Sequence, residues 1–208
     1  VSRGLGDVYK RQHYGNLYLD DEAFAPLFEK LEEYRMTVYV HHTPVPVDHG
    51  SLLAYNNLRR SYGRCVDQMT AVCREMMSGM FERYPHVRMV HSMLGGGFFA
   101  FKEMMVPTRS AGADQVKRFD DNGEQLARYL SENIFFETSH AQPWGRESLE
   151  CAVRVLGSDH IIYGSSYPVR TEWLTEGAGF VRGMDLSGDD KENILWRNAS
   201  RLYGIEVS

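Results

Sequence analysis

Apolar positions recur along the chain at two spacings, and the two alternate. Phe24, Leu27, Phe28 and Leu31 fall at helical spacing behind Asp20 or Asp21 as a cap, which predicts a helix running to about Arg35. Met36 to His41 then gathers β-branched and aromatic residues between polar segments and predicts a buried strand. A loop with Pro44, Pro46 and Gly50 comes next. Roughly 52–83 is expected as a long helical region interrupted near Gly63, with Val66, Met69, Cys73, Met76 and Met80 on one apolar stripe. Its methionines are read as core filler. Val87 to His91 predicts a second strand, and Gly95, Gly96 and Gly97 lead into a short helix ending near Met105. Residues 106–122 are expected as loop. Leu126, Tyr129 and Leu130 mark another helix, Ile134 to Thr138 a third strand, and Arg146 to Leu156 a helix closed by Gly157. His160 to Tyr163 is the fourth strand. Ser187, with Asp190 three residues on, resembles a capping box for a last helix reaching about Tyr203.

Strands alternating with helices imply βαβ units and a parallel sheet. An open doubly wound sheet is complete with four or five strands. A (β/α)₈ barrel needs eight and typically roughly 250 residues, against 208 here. Periodicity leaves both open. Residues 1–12, Val1 to Gln12, show no cap or periodic pattern that leads into the chain from His13 onward. They are read as a non-native, adapter-like leader set apart from the fold, with the domain over 13–208 and a genuine terminus as the alternative.

Composition narrows the function classes. A net charge of −5 argues against a nucleic-acid groove, which needs a basic surface. No apolar stretch is long enough to cross a bilayer, and the first residues carry no apolar signal region. Cys65, Cys73 and Cys151 form no CxxC pair and read as small buried side chains in a reducing, cytoplasmic setting. The expected partner is a small-molecule substrate, with neither nucleic acid nor membrane. Whether the protein is a homo-oligomer is left open.

Four stretches in register carry a family resemblance: Tyr18 to Pro44; Met80-Phe-Glu-Arg-Tyr-Pro85 with its following strand and glycine triplet; Ile161-Ile-Tyr-Gly-Ser-Ser-Tyr-Pro168; and Asn198-Ala-Ser-Arg-Leu-Tyr-Gly204. Together they resemble the amidohydrolase-related family, in the branch of aminocarboxymuconate-semialdehyde and γ-resorcylate decarboxylases. The resemblance implies the C-terminal half of a TIM (β/α)₈ barrel, about four βα units, with the site at the C-terminal strand ends. It further implies a divalent metal, zinc by preference. The family's His-x-His or Glu-x-His motif would lie upstream of these residues.

The resemblance also implies site residues. His41 matches the family's metal-binding histidine, and His42, on the other side of the strand, is second choice. The family sets a catalytic histidine just before its glycine pair; here Met93 or Leu94 falls there, and His91 is the candidate that would still point inward. The glycine triplet either lets a substrate anion approach the backbone or tightens the turn. His140 is a further catalytic candidate or a surface histidine. Pro143 and Trp144 would wall the site beside it. Ser166, a third catalytic candidate, stands where the family places a metal-binding Asp; a hydroxyl is a weak ligand and a poor base. Arg170 would grip a carboxylate or sit solvated, and Tyr167 would donate a hydrogen bond or pack. The expected function is therefore a hydrolase or non-oxidative decarboxylase acting on a small carboxylated or cyclic substrate through a degenerate metal site. The alternative is a non-catalytic barrel relative kept for binding or assembly.

Overall fold

The structure is a computed structural model and describes residues 7–55, 58–106 and 123–206. Its frame is a five-stranded, all-parallel sheet. The strands are β1 (Asp7–Arg11), β4 (Thr37–His41), β5 (Arg88–His91), β6 (Ile134–Glu137) and β7 (Ile161–Ile162), adjacent in that order. A two-stranded hairpin, β2 (His13–Tyr14) and β3 (Leu17–Tyr18), lies between the first two in sequence. The strand order never reverses. A doubly wound sheet reverses at its switch point and carries helices on both faces, whereas a barrel adds each strand beside the last with its helices outside. The observed order is a barrel arc.

The four expected strands are present, and a fifth joins them. Residues 7–12, expected to stand apart from the fold, are part of it. Asp7–Arg11 pairs in register with β4, from Asp7 opposite Thr37 to Arg11 opposite His41. Gln12 is fully buried. The segment is too short to show a period of its own, and its pairing comes entirely from the neighbouring strand.

Side chains alternate between two faces of each strand. Val38, Val40, Met89, Ile134, Phe136 and Ile161 join the main core under the helices. Tyr39, Val90, Phe135 and Ile162 lie on the other face, the inner side of the arc, with Ala199 and Leu202 of the last helix against them.

The helix layer matches the sequence in most places. Asp21 accepts the Ala23 amide at 2.9 Å and starts a 3₁₀ turn leading into α1 (Ala25–Glu33), where Phe28 and Leu31 are buried. The region expected near 52–83 resolves into α2 (Arg64–Met77), preceded by a wide turn at Arg59–Gly63, and α3 (Met80–Arg83). The interruption expected near Gly63 is only a change of winding, since the backbone stays helical through that residue; the break comes at Gly79, which is left-handed at φ +71. After α4 (Lys102–Met105), the loop expected at 106–122 lies outside the described residues except for Val106. Next come α5 (Gly123–Glu132), α6 (Ala141–Trp144) and α7 (Arg146–Leu156), with Gly157 closing α7 at φ +89.

α8 (Thr171–Arg182) is not predicted from the sequence, because Gly177 and Gly179 weaken its propensity. Ser187 caps α9 (Gly188–Glu192) by accepting the Asp190 amide at 3.1 Å, and α10 (Asn198–Tyr203) ends the fold. No described helix is long and apolar enough to cross a membrane.

Candidate functional site

Parallel strands direct all their C-terminal ends to one rim of the sheet. At that rim stand His41 ending β4, His91 ending β5, Glu137 ending β6, and the loop after β7 that carries Ser165 and Ser166. Strand pleating then decides which of these side chains face inward.

His41 shares a face with Tyr39, so it lies on the inner side of the arc, and their ring centroids are 6.3 Å apart. Its Nδ1 donates to the His42 carbonyl at 2.7 Å, and its ring stacks on His42 at 4.1 Å. The His42 amide donates to Ser92 Oγ at 3.1 Å. Gln68 of α2 sets this corner from behind, donating to the Val40 carbonyl and to Ser92 Oγ, each at 2.7 Å. Burial holds both imidazoles below the usual histidine range, and the Arg64 charge at the start of α2 lowers both further. For His42 the result is a pKa of about 3, with His41 and His140 adding to the effect. Both rings are therefore neutral at pH 7.

His91 is placed elsewhere. It shares a face with Met89, points into the helix layer, and brings Nε2 within 2.7 Å of Glu75 Oε2 on α2. Both side chains are shut off from solvent. The expectation that His91 turns inward with Met93 rests on strand alternation continuing past residue 91. It does not continue. The strand stops at His91, and Met93, Leu94, Gly95 and Gly96 form a left-handed turn with φ between +50 and +70. The glycine triplet thus serves the turn. A Cβ on Gly96 would overlap the Cys65 carbonyl oxygen of α2, so the backbone approach there is to a helix.

The segment after β6 returns to the rim. Ser139, at φ +57, accepts the Met93 amide on its Oγ at 3.0 Å and joins the left-handed turn to β6. His140 is half-buried, lies near enough to His42 to bear on its charge, and stacks on Trp173 of α8 at 4.6 Å. Burial lowers its pKa. Trp144 donates Nε1–H to the Thr138 carbonyl at 3.1 Å and meets Phe99 edge-on, so it braces this segment from the helix side. Ser166 sits half-buried after β7 at φ +54. Tyr167 is 61% exposed. Arg170 is also exposed; it pairs with Glu172 at 3.3 Å and lies over Trp173, so its charge is already answered. His41, His42 and His140 thus come together at the rim. His91 does not join them, and Arg170 and Tyr167 lie out on the exposed loop.

Glu137 is not among the residues the sequence singles out. It comes after Phe135 and Phe136 at the end of β6 and is buried. Oε1 accepts the Ser139 amide at 2.7 Å, and Oε2 accepts the Tyr39 hydroxyl at 2.9 Å and the Ser139 hydroxyl at 3.0 Å. The Tyr39 bond places the carboxyl on the inner side of the arc. Burial pushes its carboxyl up to about 7 despite these three donors. The available signal is a lone acid closing the otherwise apolar run Ile134-Phe-Phe-Glu137.

The donor set does not make a metal centre by itself. Among the described residues no group of three or more His, Cys, Asp and Glu side chains converges to hold an ion. Ser166 offers a hydroxyl where a carboxylate would serve. Any divalent metal would need ligands other than those described.

A family model described as amidohydrolase matches residues 10–205. Gamma-resorcylate decarboxylase from Polaromonas sp. (strain JS666) is 25% identical over 198 residues, 91% of this chain and 57% of that protein. The 2-amino-3-carboxymuconate-6-semialdehyde decarboxylase of Dictyostelium discoideum is 22% identical over 210 residues, 98% of this chain and 54% of that protein. Among solved structures, 5-carboxyvanillate decarboxylase LigW from Sphingomonas paucimobilis superposes with a TM-score of 0.77 at 20% identity, over 97% of this chain and 59% of that one. A dihydroxybenzoic acid decarboxylase from Polaromonas sp. JS666, with bound manganese and 2-nitroresorcinol, gives 0.76 at 21% identity, over 92% and 57%. These likenesses are of fold, and they agree with a partial (β/α)₈ barrel. The chain spans about half the length of the curated relatives it matches.

Proposed function

The chain belongs to the amidohydrolase family, and from that premise we propose that the whole protein is a non-oxidative carboxy-lyase acting on a small carboxylated ring. One observation carries the reading. The rim gathers three imidazoles, His41, His42 and His140, with the Arg64 guanidinium bearing on the first two. Arg59 and Arg60 bear in turn on Arg64, whose buried Nε has no hydrogen-bond partner among the described residues. A buried guanidinium nitrogen left in this way is unfavourable until an acceptor such as an anion meets it. A carboxylate is the anion that a carboxy-lyase must hold. Arg64 takes the role expected of Arg170, because no carboxylate contact of Arg64 opposes an incoming one among the described residues.

Neutral His41 and His42 suit this site. They donate or accept hydrogen bonds to a substrate hydroxyl without adding to the positive charge. The curated relatives named above are decarboxylases, which favours carbon dioxide release over hydrolysis. Zinc or manganese would add Lewis acidity in the whole protein, and no step assigned to these residues passes through it.

The test is carbon dioxide release by the full-length protein on a panel of hydroxybenzoates and other carboxylated rings, run beside a panel of esters, amides and lactones. Release on the first panel is expected. Hydrolysis without carbon dioxide would replace the reading with a hydrolase. A second reading, a barrel kept for binding, is favoured by Ser166 in place of a carboxylate; binding without turnover on either panel would establish it.

A further inference from the structure

We propose that Tyr39 and Glu137 form the proton-delivering pair of the strand-end site, with Tyr39 presenting its hydroxyl to the substrate and Glu137 holding the proton behind it. The inference deepens the carboxy-lyase reading and rests on it. The two residues are on strands separated by β5, and their side chains meet at 2.9 Å on the inner face. Val90, Phe135 and Ile162 on that face are apolar, and His41 borders Tyr39 at its rim end. An acid in such a layer is unfavourable unless its surroundings are built for it.

They are built for it. Gly164 lies beneath the carboxyl, and a Cβ there would overlap Glu137 Oε1, so a larger residue would displace the group from this position. Ser139 takes a left-handed backbone conformation that aims both its amide and its hydroxyl at the two carboxyl oxygens. Thr138 Oγ1 fixes Gly164 from both sides, donating to its carbonyl at 3.1 Å and accepting its amide at 3.0 Å. A glycine, a strained serine and a tyrosine from another strand therefore converge on one carboxyl. A space-filling residue would need none of them.

The groups that bear on Glu137 are Tyr39 from β4 and Ser139 at the end of its own strand. Tyr163 after β7 is near enough that its hydroxyl, made less acidic first by burial, is made less acidic still by Glu137. No charged partner is among them. The carboxyl consequently stands near neutrality, where a group both holds and gives up a proton. Tyr39 is only partly buried and borders His41, so it is the member a substrate reaches.

The proton balance is closed. The bond between ring carbon and carboxylate carbon breaks, its electron pair stays on the ring carbon, and carbon dioxide leaves. With Glu137 protonated the bond between the pair reverses, so that Oε2 donates to the Tyr39 oxygen. The ring carbon takes the Tyr39 hydroxyl proton, the Tyr39 oxygen takes the Glu137 proton, and the Glu137 carboxylate regains one from water, which leaves as hydroxide. No external oxidant or reductant enters, because the formal reduction of the ring carbon is matched by the formal oxidation of the carboxyl carbon that leaves as carbon dioxide. Tyr39 is the catalytic residue here, and Glu137 acts through it.

The experiment uses the full-length protein and the hydroxybenzoate that the wild type decarboxylates fastest. Turnover is followed in D₂O by NMR at the ring position the carboxylate vacates, and folding is checked by thermal melts. Tyr39→Phe and Glu137→Gln should each lower kcat by about 10²-fold or more, with KM within about threefold of wild type. Glu137→Gln should also abolish the wild-type pH dependence of kcat near neutrality, while Glu137→Asp retains part of the rate. Where Glu137→Gln does not fold, Tyr39→Phe decides, since it leaves the carboxyl in place. Variants with wild-type kcat, or with losses confined to KM, would overturn the pair while leaving the carboxy-lyase reading intact. A wild type that releases carbon dioxide from no member of the panel would overturn both.

Discussion

His91 Nε2 lies 2.7 Å from Glu75 Oε2, and the two side chains are shut off from solvent between β5 and α2. The pair stitches a strand to the helix that covers it, so its role is read in stability. Removing one partner strands the other in the core. His91→Ala and Glu75→Ala are each expected to cost about 3–5 kcal/mol. The double substitution His91→Leu with Glu75→Leu should cost less than the two single changes summed. Urea unfolding of the four proteins measures this. A mild His91→Ala effect on folding, paired with a large effect on ligand binding, would place His91 back at the rim.

Glu137 gives stability a pH dependence of its own. Its carboxyl is raised from 4.5 to about 7 by burial, so the folded chain keeps a proton that the unfolded chain has released. Its contribution is fully present below the unfolded pKa and is lost as pH rises through the folded one. The loss amounts to roughly 3 kcal/mol between about pH 4.5 and 7. Unfolding midpoints taken at about pH 5 and about pH 8 should therefore fall with pH, and Glu137→Gln should flatten that difference. An equal slope in the variant would assign the dependence to other groups.

Asp67 of α2 holds the hairpin and the end of β1 together. It accepts the Tyr18 hydroxyl at 2.6 Å, Gln12 Nε2 at 2.7 Å and His13 Nε2 at 2.9 Å. Burial alone would raise its pKa, but the His13, Tyr18 and Gln12 hydrogen bonds outweigh burial and lower it. For His13 burial would act downward, and Asp67 overcomes it. Asp67→Ala is expected to destabilise by about 3–5 kcal/mol, since it leaves buried donors unanswered. Tyr18→Phe should cost about 1–2 kcal/mol. The Asp67 contribution is present above 3.8, the ordinary Asp value, and is lost as pH falls through its lowered value. A Tyr18→Phe loss equal to that of Asp67→Ala would contradict a shared acceptor.

Two adjacent glycines separate backbone strain from steric overlap. Gly96 has φ +70 and its Cβ would collide with the Cys65 carbonyl, whereas Gly97 has φ +87 with the Trp144 ring edge no nearer than 3.9 Å. Gly97→Ala should cost about 1–2 kcal/mol, the left-handed penalty alone. Gly96→Ala must also push α2 off the turn, and is expected to cost about 4 kcal/mol or more. Thermal melts of the two variants compare them directly. Equal losses would mean that α2 yields easily at Cys65.

Much of the fold is legible in the order of residues. Met36 to His41, Val87 to His91, Ile134 to Thr138 and His160 to Tyr163 each contain a strand where the β-branched and aromatic runs predict one. Asp21 and Ser187 cap the segments they precede. α8 is not legible, because Gly177 and Gly179 interrupt its helix-forming residues. Of the rim, the position of His41 at the end of β4 is readable. Glu137 does not stand out, because a single acid at a strand end looks the same whether it faces water or a cradle.

Local chemistry determined the elements: periodicity, caps and breakers act within a few residues, so they specify helices and strands wherever the chain goes. Tertiary structure decided the rest. Strand order, the pairing of Asp7–Arg11 with β4, the turn of His91 toward Glu75, and the meeting of Tyr39 with Glu137 across β5 all join residues distant in sequence. Each depends on where the strand pleat stops and which helix covers it, and only the packed sheet fixes those.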